Sequence, residues 1–140
     1  MLGYMKLAFV HEYLNQYGGA ERVLEILGAM FPNAPIFTTI YDSRLTRGVF
    51  NNREVRTSFL QNIPGAKKYH HVFSPLMPMA IEQFDLSHFD IAFSIASSFA
   101  KGIVTKPSTH HISYCLTPHR LLWDDSQRFI QDFNYPFFIK

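Results

Sequence analysis

Residues 5–31, MKLAFVHEYLNQYGGAERVLEILGAMF, decide the fold. Leu7-Ala8-Phe9-Val10 is the short apolar run of a parallel strand covered on both faces. A loop with Gly18-Gly19 follows. Ala20, Val23, Leu24, Leu27, Met30 and Phe31 then recur at helical spacing as one apolar stripe, widened by Ile26 and Ala29, and Pro32 closes the helix. Glu21, Arg22, Glu25 and Gly28 fall off that stripe. A strand–glycine–helix turn aims unpaired backbone N–H groups and a helix dipole at one spot, which suits a phosphate, and glycine lets a ligand approach the backbone. The same pair also reads as a plain tight turn, because the chain has neither GxGxxG nor a P-loop lysine. Glu21 complements the dipole but repels a phosphate set beside it. A docked phosphoryl group is therefore expected over the Gly18-Gly19 amides, with Glu21 turned away or bonded to a hydroxyl.

Outward from this unit, Ala34–Tyr41 is β-branched and aromatic and reads as a second strand; Glu54–Phe59 reads as a short third. Asp42-Ser43 suits a cap or turn, and 44–52 a loop. Residues 67–84, interrupted by Pro75 and Pro78, read as two short helices, with Pro78 in a first turn. Phe89–Ala96 and His110–Cys115 read as two further strands, and 120–133 as a helix. Strands alternating with helices imply an α/β fold, a Rossmann-like three-layer sandwich with a mostly parallel sheet. Ligands bind such sheets at the carboxyl ends of the strands. That rule gathers residues 11–19, Tyr41-Asp42, 97–101 and 116–120 on one edge.

The 140 residues suffice for one domain spanning 1–140 with a real core, and 47% of them are hydrophobic. A net charge of +2, with no basic run beyond Lys67-Lys68, argues against a nucleic-acid partner. The single cysteine, Cys115, excludes an internal disulfide and a cysteine-based zinc cluster. No stretch approaches the ~20 apolar residues of a membrane span, and the start lacks a signal-peptide pattern.

Three blocks, HEYLNQYGGAERVLEIL (11–27), FDIAFSIASSFAKGI (89–103) and HHISYCLTPHRLLWD (110–124), together resemble the N-terminal domain of family 4 glycosyltransferases, in the family's order and spacing. Bacterial mannosyl- and related sugar-transferases of cell-surface polysaccharide synthesis are the nearest likeness. The resemblance implies the N-terminal half of a GT-B fold, whose acceptor-side domain faces a donor-binding domain with a paired-glutamate motif. That second domain is expected beyond this chain, leaving the isolated half inactive. The implied partners are a nucleotide-diphosphate sugar and a glycan or lipid-linked acceptor, with no metal and no other cofactor. The implied location is cytoplasmic, with peripheral attachment at the inner membrane face as a further expectation.

By the same resemblance, Gly18 and Gly19 contact the donor diphosphate. Ser97, Ser98, Lys101 and Gly102 fall near the acceptor side of the cleft. Thr117, Pro118, Arg120, Trp123 and Asp124 match the motif after the fifth strand. The family reads Cys-His-Thr-Pro there, where this chain reads Cys115-Leu116-Thr117-Pro118. Leu116 can neither bond a sugar hydroxyl nor transfer a proton; His119, three residues on, is the group left to substitute.

Among the seven histidines, His11 at the end of the first strand is either a cleft residue or a satisfied turn residue. His110 and His111 point to opposite faces and cannot jointly grip a metal. Asp124-Asp125 suit a solvated turn. Ser97-Ser98 lack a nucleophile-elbow pattern, which argues against a hydrolase. The phenylalanines of 84–99 and 129–138 read as core and interface. The terminal run Tyr135-Pro136-Phe137-Phe138-Ile139 is expected to fold back or to seat a second copy in a two-fold dimer.

Overall fold

The computed structural model describes residues 5–117. It is an α/β fold with one five-stranded, all-parallel sheet. The strands are β1 (Leu7–His11), β2 (Ile36–Thr38), β3 (Val55–Thr57), β4 (Ile91–Ala96) and β5 (His110–Cys115), in the order β3-β2-β1-β4-β5. Helix α1 (Gly19–Met30) follows β1, and α2 (Met77–Glu82) precedes β4. The order turns back at β1, which pairs β2 on one side and β4 on the other. In a Rossmann-like sheet, that reversal opens the ligand crevice at the carboxyl ends of the two central strands.

Strand alternation sorts the core into two faces. Ala8, Val10, Phe37, Ala92 and Ala96 pack with Ile81 and Phe84 of the α2 region. Phe9, Ile36 and Ile95 pack on the opposite face with Leu24 of α1. Phe9 meets Phe93 edge-on at 5.8 Å, and the two are register partners across β1 and β4. His11 shares the Phe9 face of β1 and so points toward α1. The phenylalanines at 84, 89, 93 and 99 all pack against the core, as their spacing suggested.

Several local expectations need correction. In α1 the buried positions are Glu21, Leu24 and Gly28, whereas Met30 and Phe31 are exposed. Periodicity put Glu21 outside because it cannot see the histidine waiting for it. Gly28 is buried under Arg53, whose guanidinium donates to the carbonyls of Gly28, Phe31 (3.1 Å) and Ala34 (2.8 Å). Arg53 thus satisfies the orphan carbonyls at the α1 C-terminus. A Cβ on Gly28 would stand 3.4 Å from that guanidinium. Burial lowers the Arg53 pKa from its ordinary value.

The second strand is cut to Ile36–Thr38, between Pro35, which has no N–H to give the ladder, and Thr39, which turns to donate to the Glu12 carbonyl. Asp42 forms the expected turn, its Oδ1 accepting from the Arg44 amide at 2.9 Å. The first of the two short helices is a 3-10 helix, His70–Leu76, which runs into α2 with Pro78 in its first turn. Edge strand β5 has the expected bounds, and all six of its residues are exposed. Among the described residues no helix is long and apolar enough to cross a membrane.

Candidate functional site

The carboxyl ends of β1 and β4 build a buried polar cluster at the switch point. His11, 3% exposed, ends β1. Its Nδ1 lies 3.1 Å from the Ile95 carbonyl, and its Nε2 lies 3.1 Å from Glu21 Oε1. A carbonyl only accepts, so Nδ1 carries a hydrogen. The Nε2–Glu21 contact then needs a second proton between ring and carboxylate. With one hydrogen on Nδ1 and one between ring and carboxylate, the pair carries no net charge, which makes its burial tolerable. Of the two readings open for His11, the structure shows a buried, satisfied residue at the end of β1.

Glu21 does more than pair His11. Its Oε2 accepts from the Gly18 amide at 2.7 Å, the reciprocal half of a capping box. Burial alone pushes the Glu21 pKa up, but the His11 hydrogen bond and charge, with the Gly18 and Glu21 amides, outweigh it and hold the carboxyl below its ordinary value. The expectation that Glu21 turns away or bonds a hydroxyl is therefore not met. It occupies one of the two amides reserved for phosphate. The Gly18 position is closed further: a Cβ there would meet Glu21 Oε2 at 3.2 Å.

Gly19 is different. It is the first residue of α1, so its N–H has no partner within the helix. Its φ is not positive, and a Cβ added there would meet nothing within 4 Å. Neither backbone conformation nor packing requires glycine at this position.

Glu12, which sequence reasoning passed over, ties the two central strands together. It is 7% exposed, and its Oε1 accepts from the amides of Ser98 and Phe99 just after β4. Its carbonyl accepts from the Thr39 amide and hydroxyl. Ser97 and Ser98 are half-buried beside this link. The only hint in the sequence was position: a carboxylate directly after a buried strand, two residues before Leu14.

The other expected residues are placed less tightly. Lys101 is exposed on the 3-10 turn Ala100–Gly102, and among the described residues no hydrogen bond or ion pair links it to the crevice. Leu116 donates its amide to the Ala96 carbonyl at 3.2 Å and packs against the α1-side core. Thr117 is exposed, its carbonyl accepting from the Cys115 thiol at 3.5 Å. Pro118, His119, Arg120, Trp123, Asp124, Asp125 and the terminal aromatic run lie outside the described residues. No group of three or more His, Cys, Asp or Glu among the described residues could hold a metal ion. His111 instead bonds Ser94 Oγ through Nε2 at 2.9 Å.

Among the described residues, two of the cavities lie at opposite edges of the sheet. One, of about 580 Å³, lies at the amino ends of the strands between Met5, Met30, Phe31, Arg56 and Phe89, on the wrong edge for a switch-point ligand. The other, of about 440 Å³, lies at the carboxyl edge and is lined by Tyr41, Asp42, Ser43, Arg44, Gln61 and Lys67. No family model, no curated protein and no solved structure matches the chain.

Proposed function

We propose that the chain is the acceptor-side half of a retaining glycosyltransferase, which moves a sugar from a nucleotide-diphosphate donor to a glycan or lipid-linked acceptor. The observation that carries the reading is Gly19. The chain itself has no use for a glycine there, whereas a diphosphate approaching the first amides of α1 would. Because Glu21 holds the Gly18 amide, the diphosphate is assigned to the Gly19 and Ala20 amides. Those donors would stabilise the leaving diphosphate electrostatically. The acceptor belongs on the same edge, between Ser97-Ser98 and the Leu116–Thr117 turn. The donor-binding half, with its paired glutamates, is supplied from outside these residues. Work at the inner face of a membrane on a lipid-linked acceptor forms part of the same proposal.

On this reading the donor-binding half of the cleft is not among these 140 residues, so the purified chain alone is expected to transfer no sugar; turnover of a nucleotide sugar without a partner chain refutes this. Joined to a donor-binding half, the chain is expected to gain transferase activity, and Gly19→Val to lower kcat by about a hundredfold. Equal rates for the two versions would reduce the loop to a turn.

One observation favours a second reading, a non-catalytic Rossmann-like binding module. Leu116 stands where the resemblance requires a histidine, and it is packed into the core rather than presented to the crevice. A downstream reading frame encoding a second Rossmann-like half supports the enzyme; a stop codon directly after Lys140 supports the module.

A further inference from the structure

The cavity of about 440 Å³ at the carboxyl edge has the size of a small-ligand site, and its walls are held in place. Two segments form it: the turn after β2, with Tyr41, Asp42, Ser43 and Arg44, and the stretch from Gln61 to Lys67. Gln61 clamps them together. Its Oε1 accepts from the Tyr41 amide at 2.8 Å, and its Nε2 donates to the Tyr41 carbonyl at 3.0 Å. Each segment is anchored a second time. The Asp42 amide donates to the Leu14 carbonyl at 2.9 Å. The Lys67 carbonyl accepts from Asn15 Nδ2 at 2.9 Å, and the adjacent Ala66 is fully buried in one core cluster with Ile40. Ser43, Arg44 and Lys67 are exposed, so a ligand reaches the cavity without any element moving.

Few polar groups on these walls are left for a ligand. Gln61 commits both amide atoms to Tyr41, and the Tyr41 hydroxyl donates to Asn51 Oδ1 at 3.0 Å. Asp42 Oδ1 accepts from the Arg44 and Leu45 amides at 2.9 and 3.5 Å, which fixes the turn. Asp42 Oδ2, the Ser43 hydroxyl, the Arg44 guanidinium and the Lys67 ammonium remain. Among the described residues neither of these two cations has an ion pair or an aromatic ring for a partner. Their neighbours Arg47 and Lys68 do, lying over the rings of Tyr17 and Tyr69 at 5.0 and 5.2 Å.

Two cations against one carboxylate select an anion. A phosphate suits them, since arginine offers it a fork of donors and lysine a point charge. The Asp42 carboxylate repels a bare phosphate but accepts from a hydroxyl. A ligand that answers the whole set therefore carries a phosphate and a hydroxyl together.

We infer that this cavity binds a phosphate ester of a polyol, with the phosphate between Arg44 and Lys67 and a ligand hydroxyl on Asp42 Oδ2. The site shares no lining residue with the Gly19 amides or with Ser97-Ser98, so it stands or falls apart from the transferase reading.

The test is an NMR titration of the isotope-labelled chain with glycerol 3-phosphate, inorganic phosphate and glycerol. Saturable shifts at the Ser43, Arg44 and Lys67 amides are expected with glycerol 3-phosphate, roughly tenfold weaker binding with inorganic phosphate, and silence with glycerol. Arg44→Gln and Lys67→Gln should each weaken the binding of glycerol 3-phosphate roughly tenfold, the effect of one lost charged hydrogen bond, and Lys67→Arg should retain it. Lys68→Gln, next in the chain but off the cavity wall, should leave it unchanged. Asp42→Asn should shrink the preference for the ester over inorganic phosphate. Cosedimentation with phosphatidylcholine vesicles, with and without phosphatidylglycerol, separates two sources of the same chemistry. Capture by phosphatidylglycerol that Lys67→Gln removes assigns the ester to a lipid headgroup; shifts with glycerol 3-phosphate and no capture assign it to a soluble ligand. Silence toward glycerol 3-phosphate up to about 20 mM overturns the inference. So does an equal loss in Lys68→Gln and Lys67→Gln, which would mean diffuse surface charge, or an ester preference that Asp42→Asn leaves intact.

Discussion

His11 and Glu21 stand ten residues apart in the chain and meet at 3.1 Å, with side chains 4% and 2% exposed. This contact fixes the first turn of α1 against the end of β1. Through the second oxygen of Glu21 it also fixes the glycine loop, since that oxygen holds the Gly18 amide.

Removing the carboxylate leaves the buried His11 Nε2 and the Gly18 amide without their partner. Glu21→Ala is expected to cost about 3–5 kcal/mol in urea unfolding, and Glu21→Gln distinctly less, because an amide can still reach His11. The folded-state pKa of Glu21 is depressed. Its contribution is therefore fully present above the unfolded value and is lost as pH falls through the lowered one. Glu21→Gln should flatten the acid limb of the stability curve. An unchanged limb would show that the charge plays no part.

Arg53 ties down the end of the same helix. Arg53→Met is expected to lower stability by about 1–2 kcal/mol, since it removes a charged donor from carbonyls that are only partly buried. Gly28→Leu should produce a similar loss by displacing the guanidinium. If the double variant loses the full sum of the two, the residues act independently and the cap is misassigned.

His70 makes a separate pH prediction. Its folded-state pKa of about 4 lies below the ordinary value of 6.5. Between these values the unfolded chain binds the proton and the folded chain does not, so stability rises with pH across that window. The ring is half-buried, so solvent screening reduces the effect to about 1–2 kcal/mol between pH 7 and pH 4. His70→Gln should remove that part of the slope, and unfolding midpoints measured across the window would reveal it. A variant slope equal to wild type contradicts the assignment.

Much of the frame was legible in the chain. The run Leu7–Val10, the paired glycines and the stripe through Leu24 specify strand, turn and helix together, and HHISYC marks β5 with the observed bounds. The carboxyl-edge rule puts His11, Ser97 and Ser98 at one end of the sheet, and in the structure they lie at the ends of the paired strands β1 and β4. What sequence could not supply was the pairing of polar groups across the fold. Glu21 reads as a solvated helix residue until His11 is opposite it. Glu12, Asn15 and Arg53 have no local pattern at all, because their partners lie 86, 52 and up to 25 residues away. Met30 and Phe31 fit the apolar stripe, but at the C-terminal end of α1 both stay exposed, Phe31 reaching only the edge of the core at the Phe9 ring, 6.3 Å away.

The most direct measurement on the central claim is an amide titration of the folded chain with UDP and with GDP, wild type against Gly19→Val. A Cβ at Gly19 has open space around it, so the variant should keep wild-type stability to within about 0.5 kcal/mol. The account predicts saturable shifts at the Gly19 and Ala20 amides, little change at Gly18, and loss of the response in Gly19→Val. Absence of any shift at Gly19 and Ala20, or an undiminished response in Gly19→Val, would contradict it.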